Sequence, residues 1–152
     1  MALVLDCSVT VAWYFASEAS TFTNQLLERV GIEPMVVPAL WTLEFVSAIR
    51  NAERRRRIGA ADRAQILEQA AQLAFEIDST PVPIIEIDDT AQRFSLTPYD
   101  AVYLDLARRR RIPLATLDAD LVRAAREAKL PVLTDATLFP EHHVAKRRPQ
   151  SR

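Results

Sequence analysis

Apolar residues in this chain fall into short blocks that alternate with longer stretches of helical periodicity. Ala2-Leu3-Val4-Leu5 is a continuous apolar run stopped at Asp6, as a strand buried on both faces would be. Ser8 can cap a helix reaching about Tyr14, and a second helix is predicted over 18–30, closed by Gly31. Met35-Val36-Val37 is a second short apolar run, ended by Pro38. From Ala39 the pattern turns helical, with Leu40, Leu43, Val46, Ile49 and Ala52 recurring at three-residue steps. Gly59-Ala60-Ala61-Asp62 opens a further helix predicted to run to about Ile77. Pro81 and Pro83 mark a turn, 82–87 reads as a strand, and a helix is predicted over 88–94. Thr97 caps the next helix with Pro98 at its first position, where a missing N–H costs nothing. Leu114-Ala115-Thr116-Leu117 is a strand stopping at Asp118, 121–128 is helical, and Val132-Leu133 is a last short strand. Strands this apolar, alternating with amphipathic helices, predict an α/β fold: a three-layer α/β/α arrangement around a parallel sheet of about five strands.

Composition narrows the function by exclusion. The 152 residues are 49% hydrophobic and 26% charged, as in an ordinary globular domain. Residues 1–140 read as one domain and 141–152 as a basic, flexible tail. The single cysteine, Cys7, leaves no disulfide framework and no cysteine-rich zinc site. The N-terminus has no basic leader followed by a long apolar run, and no stretch approaches the ~20 residues of a membrane span, so a cytoplasmic protein is expected. Two glycines, Gly31 and Gly59, cannot build a dinucleotide-binding or phosphate-cradling loop. Net charge is −1, but the arginines cluster at Arg54, Arg55, Arg56 and Arg57, and again at Arg108, Arg109, Arg110 and Arg111. The first run ends the helix that carries Glu44, and the second ends the helix that carries Asp100. Four cations exceed what a helix C-terminus calls for, so at least one run is expected to meet the phosphates of a polyanion, with Arg54, Arg55, Arg56 and Arg108 as candidates.

The acids occupy telling positions. Asp6 and Asp118 each end an apolar strand, and in an open parallel sheet ligands bind beyond the carboxyl ends of the strands. If the two strands are neighbours, the carboxylates share one edge and repel unless a cation lies between them. Glu44 sits inside the otherwise apolar helix after Pro38, where an ionised side chain needs a partner or a metal. Asp100 lies in the first turn of its helix, a place the macrodipole alone would favour. Asp118 as a helix cap is the corresponding plain explanation for that residue, and Asp120 is a first-turn acid that can assist. An oxygen-only set suits Mg²⁺ or Mn²⁺, and the matching chemistry is phosphodiester hydrolysis by water that the metal activates. The only histidines, His142 and His143, lie in the tail, so no serine–histidine pair competes. A phosphatase or receiver-like domain also gathers acids at strand ends, but it wants a lysine near the phosphate, and the only lysines are Lys129 and Lys146. A non-catalytic module that binds RNA or a protein is the remaining alternative.

Four pieces then carry a resemblance: the first strand ending in Asp6 with Ser8 two residues on; Glu44 after Pro38; Thr97-Pro98-Tyr99-Asp100-Ala101-Val102-Tyr103; and Leu114-Ala115-Thr116-Leu117-Asp118-Ala119-Asp120-Leu121. In this order and spacing they resemble the PIN-domain ribonucleases, and most closely the VapC toxins of bacterial toxin–antitoxin pairs. The similarity extends from Leu3 to about Leu133. It implies a PIN-like fold and a Mg²⁺- or Mn²⁺-dependent endoribonuclease with Asp6, Glu44, Asp100 and Asp118 as its acids, Asp6 and Asp100 being the foremost metal ligands. Thr116 matches a hydroxyl position that can bond an acid or a water, and Ser8 can do the same, although helix capping is its expected role. Ser47 departs from the pattern, which often has asparagine there. The resemblance further implies a homodimer and a cognate antitoxin whose arginine meets the acids, a pairing suited to bidentate guanidinium geometry. Trp13, Tyr14 and Phe15 can receive such a partner, but core packing is the expected use of those rings.

Overall fold

The computed structural model describes residues 1–136, so the basic tail, with His142 and His143, lies outside the described residues. Five strands, β1 (Leu3–Leu5), β2 (Met35–Pro38), β3 (Phe75–Asp78), β4 (Leu114–Ala115) and β5 (Val132–Leu133), form one sheet in the order β3-β2-β1-β4-β5. Every pairing is parallel. The helices are α1 (Cys7–Ala12), α2 (Thr21–Arg29), α3 (Leu40–Arg54), α4 (Ala60–Ala70), α5 (Ile84–Phe94), α6 (Pro98–Arg110) and α7 (Ala119–Glu127). Helices α1 to α4 pack among themselves, and α6 packs on β1, β2 and β4 together with α5 and α7, giving the three layers. This is the α/β/α fold that the sequence predicts.

The central strand is the most apolar. Leu3, Val4 and Leu5 are wholly buried, as a strand covered by helices on both faces must be. From β1 the chain moves outward to β2 and β3, then returns to place β4 on the other side of β1. The loops after β1 and β4 therefore diverge, and a crevice opens between them at the carboxyl edge. Gly31 closes α2 at φ +80°, a left-handed conformation that residues with a Cβ rarely adopt.

Two elements differ from the prediction. The helix predicted to reach Ile77 stops at Ala70, and Phe75–Asp78 is the edge strand β3, paired residue for residue with Met35–Pro38. The segment Gln69-Ala70-Ala71-Gln72-Leu73-Ala74 is rich in helix formers, and only pairing with β2 and packing on the Trp41 ring turn Phe75–Asp78 into a strand. Conversely, the strand predicted over 82–87 is the start of α5, with Pro83 at its N-cap and Ile84 and Ile85 exposed. The core stripe of α3 is also shifted in phase. Trp41, Phe45, Ile49 and Ala52 are buried, whereas Leu43 is 70% exposed. Strict three-residue steps drift around a 3.6-residue helix, and the spacing of 4, 4 and 3 keeps to one face.

The α3 stripe joins an aromatic cluster that includes the first-helix rings. Trp41 stacks on Phe45 at 5.1 Å and meets Phe75 edge-on at 5.2 Å, while Tyr14 meets Phe45 at 5.7 Å. Trp13 packs near Phe75, its indole N–H donating to the Thr23 carbonyl, and Phe15 is buried. Core packing accounts for all three rings.

Candidate active site

Asp6 is placed by the ladder itself: its N–H donates to the Ala115 carbonyl at 2.9 Å, fixing the end of β1 against β4. One carboxylate oxygen, Oδ2, accepts from Ser8 Oγ at 2.5 Å and from Thr116 Oγ1 at 2.8 Å. Both hydroxyls also accept: Ser8 Oγ from the Leu117 N–H at 3.0 Å, and Thr116 Oγ1 from the Asp118 N–H at 2.9 Å. The two loops flanking the crevice are thus laced together through Asp6. Ser8 is not the cap of α1; it bridges the acid to the loop after β4.

Three further acids on other elements lie near enough for their charges to be coupled with that of Asp6. Asp118 caps α7, its Oδ1 accepting from the Leu121 N–H at 2.9 Å. Asp100 stands in the first turn of α6, where Thr97 caps the helix by accepting from the Asp100 N–H and donates to Asp100 Oδ2 at 3.0 Å. Glu44 projects from α3 and accepts at Oε1 from the Tyr103 hydroxyl of α6 at 2.7 Å. One turn before Glu44, the Trp41 indole donates to Thr10 Oγ1 at 3.0 Å, which ties α3 to α1.

The electrostatics record their proximity. Burial pushes the Asp6 carboxyl up to about 6, against the hydrogen bonds from Ser8 and Thr116, and the charges of Asp100 and Asp118 add to the rise. Burial also raises Glu44, as do Asp6 and Asp100, while the Tyr103 hydroxyl opposes the shift. Asp100 is raised by burial, and further by Asp118 and Asp120. Asp6, Glu44, Asp100 and Asp118 therefore act on one another at the sheet edge. Among the described residues, no arginine or lysine is ion-paired with any of them. Nor are three such ligands closed into a ready cage within those residues. An open, oxygen-only set with excess negative charge fits a hard cation that keeps several of its waters, as Mg²⁺ does.

Some participants escape a sequence reading. Tyr103 is fully buried and holds Glu44 across 59 positions of sequence. Asp135, just past β5, is buried and lines a cavity of about 650 Å³ with Ser8 and Glu44. An acid two residues beyond a strand is its only signal.

The arginine runs divide. Arg110 donates to Asp78 Oδ2 at 2.7 Å and to Glu76 at 2.8 Å, and Arg109 reaches both Asp78 and Asp105. Burial by itself would raise the Asp78 carboxyl, but Arg110, Arg109 and Thr80 hold it well below the usual carboxylate range. Arg108 lies over the Phe94 ring. Arg57 lies over Phe15 and pairs with Glu18 at 2.8 Å. Arg54, Arg55 and Arg56 are exposed at the end of α3.

Comparison with known proteins agrees with this architecture. The PIN domain family matches residues 3–127. Ribonuclease VapC9 of Mycobacterium tuberculosis is 30% identical over 121 residues, covering 78% of this chain and 87% of that one. Among solved structures, PAE2754 from Pyrobaculum aerophilum superposes with a TM-score of 0.65 at 22% identity, over 91% of this chain and 92% of that one. VapBC2 from Rickettsia felis, bound to a DNA fragment from its promoter, gives a TM-score of 0.63 at 11% identity, over 88% of this chain and 98% of that one. No helix among the described residues is long and apolar enough to cross a membrane. By sequence and by fold, this chain belongs to the PIN domain family, among the VapC ribonucleases.

Proposed function

We propose that the chain is a Mg²⁺- or Mn²⁺-dependent endoribonuclease and the toxin of a toxin–antitoxin pair. The observation that carries this reading is four carboxylates, just past β1, in α3, in α6 and at the cap of α7, whose charges are felt within one cluster at the switch crevice with no arginine or lysine among the described residues paired to them. Asp6 and Asp100 are the principal metal ligands, with Glu44 and Asp118 completing the set. The bound cation supplies the positive charge that favours attack of water on an RNA phosphodiester and steadies the leaving oxygen. Ser8 and Thr116 hold the Asp6 carboxylate in one orientation, Tyr103 does so for Glu44, and Asp120 adds negative charge beside Asp100. Arg54, Arg55, Arg56 and Arg108 supply positive charge for the RNA backbone.

The partner is an antitoxin whose guanidinium group neutralises the same acids, as the uncompensated charge invites. The similarity to VapC9 and to VapBC2 supports that partner, and a homodimer in the cytoplasm belongs to the same proposal. The direct test is cleavage of labelled single-stranded RNA with Mg²⁺ or Mn²⁺ and again with EDTA. Cutting that stops on chelation and returns with added metal is expected; cutting indifferent to EDTA, or none in either metal, would overturn the reading.

Tyr103→Phe removes the hydroxyl that orients Glu44 and leaves the ring that fills the core. Loss of a group that orients a metal ligand typically costs 10- to 100-fold, so RNA cleavage should fall by roughly that factor with little change in melting temperature. An unaltered kcat in steady-state assays would show that Glu44 is held by other means.

A further inference from the structure

The last arginine of the first run is engaged differently from its neighbours. Helix α3 ends in a Schellman turn, in which the Arg56 N–H donates to the Glu53 carbonyl at 2.8 Å and the Arg57 N–H to the Ala52 carbonyl at 2.9 Å. That turn holds Arg56 at φ +58°, a conformation for which glycine is the usual residue. The reversal carries Arg57 back to the loop that joins α1 to α2, residues 13–20. Its guanidinium Cζ lies 4.4 Å from the centre of the Phe15 ring, and Nη2 donates to Glu18 Oε1 at 2.8 Å. One side chain thus grips the loop at two points three residues apart.

That loop is a wall of the cavity at the acids. Ser17, Glu18 and Ser20 line the space of about 650 Å³ together with Ser8 and Glu44. The Glu18 and Ala19 N–H groups both donate to the Phe15 carbonyl, at 2.9 and 3.0 Å, so the loop is bonded to the residue that Arg57 covers. Helix α1 has only six residues, too few to be stable alone, and its place is set by what it is tied to. It is tied to α3 on both sides of the acids. Within α1, Thr10 accepts from the Trp41 indole; past its end, Phe15 and Glu18 are held by Arg57. Glu44 lies on α3 between Trp41 and Arg57, and Ser8, whose hydroxyl donates to Asp6, rides on α1.

Resting on the ribonuclease reading, we infer that Arg57 is a positioning residue of the metal site, clasping the α1–α2 loop so that Asp6 and Glu44 keep a fixed span. It acts through the loop and α1, which set Ser8, and through Ser8 the Asp6 carboxylate, against Glu44 on α3. The guanidinium is engaged on both counts, its edge by Glu18 and its face by Phe15, so its charge is already spent within the fold. A partly exposed ion pair and a ring contact are each modest alone. Arginine makes both at once because its group is planar, which a lysine ammonium is not. Carrying this clasp also gives the left-handed Arg56 a use, since the turn it forms is what returns Arg57 to Phe15.

The experiment measures Mn²⁺ affinity by titration calorimetry, and RNA cleavage, on the full chain as wild type, Arg57→Ala, Arg57→Lys, Glu18→Ala and the double alanine variant. Losing a group that orients a metal ligand directly costs 10- to 100-fold, and Arg57 acts one step further out. Arg57→Ala should therefore weaken Mn²⁺ binding by about 3- to 10-fold and lower kcat by a similar factor, with the KM for RNA unchanged. Glu18→Ala should do the same to a smaller extent, and Arg57→Lys, which keeps the ion pair, should recover part of the loss. The double variant should be no worse than Arg57→Ala, because the two residues act through one contact. Both side chains are partly exposed, so the variants should fold, and melting in EDTA verifies it. Wild-type Mn²⁺ affinity in Arg57→Ala, or losses that multiply in the double variant, would overturn the clasp. So would a raised KM in Arg57→Ala that Glu18→Ala does not share, since Arg57 would then be touching RNA itself. A wild-type chain that binds Mn²⁺ but leaves RNA uncut would overturn the ribonuclease reading, while the Mn²⁺ titrations would still decide the clasp.

Discussion

Asp6→Asn is expected to abolish most RNA cleavage while making the metal-free protein more stable at neutral pH. Both effects stem from a carboxylate buried without a cation. Asparagine keeps the shape, and its carbonyl still accepts from Ser8 and Thr116, but it brings no charge to a divalent ion. Activity should fall by roughly 10²- to 10³-fold, the range seen when one charge-placing group is removed from an active site. The stability effect has the opposite sign. A carboxyl raised to about 6 in the fold contributes its stability below the unfolded value near 4 and loses it as pH rises through 6. A two-unit shift corresponds to about 3 kcal/mol, of which the buried amide should recover about 2 kcal/mol at pH 7.5. For a chain of this size that is a gain of about 4–8 °C in melting temperature. At pH 4 the gap between wild type and variant should close, and calorimetry in EDTA at the two pH values measures it. A variant less stable than wild type at pH 7.5 would contradict a strained carboxylate at this position.

Asp78→Ala is expected to lose stability and to leave the chemistry alone. The Asp78 side chain is only 3% exposed and accepts from both Arg109 and Arg110, joining edge strand β3 to the end of α6. Removing one partner of a buried pair costs several kcal/mol when the other is stranded, but both guanidinium groups here are 36% exposed and can rehydrate. The expected loss is therefore about 2 kcal/mol. Because the Asp78 carboxyl is depressed, this stability is present in full above the unfolded value near 4, begins to decline there, and is lost only as pH falls through the much lower folded value. Urea titrations at pH 7 and pH 3 should show the full difference between wild type and variant at the first and a reduced but still measurable one at the second. Asp6 and Asp78 thus drive stability in opposite directions with pH.

The parts of this structure that sequence makes legible are those with local signals. An apolar run stopped by an acid marks β1 with Asp6 and β4 with Asp118, and Thr97-Pro98 marks the start of α6 with its cap. Glu44 stands out because a charge within an apolar helix requires an explanation. The parts that are not legible depend on distant partners. Ser8 has the local pattern of a helix cap, yet its hydroxyl joins Asp6 to Leu117, 109 residues away in sequence. Tyr103 reads as a core ring, and nothing nearby reveals that its hydroxyl meets Glu44. The segment before Phe75 favours helix, and the edge strand exists because β2 is there to pair with it. The second arginine run looks like the first, but only in the fold does Asp78 claim two of its members.

Manganese binding most directly tests whether four acids share a divalent ion at this edge. Thermal unfolding of the catalytically competent chain at pH 7.5 should shift upward as Mn²⁺ is added, because the ion binds the folded state alone. The same titration on Asp6→Asn should produce little shift. Equal stabilisation of both proteins, or none in either, would mean that Asp6, Glu44, Asp100 and Asp118 do not gather around a metal.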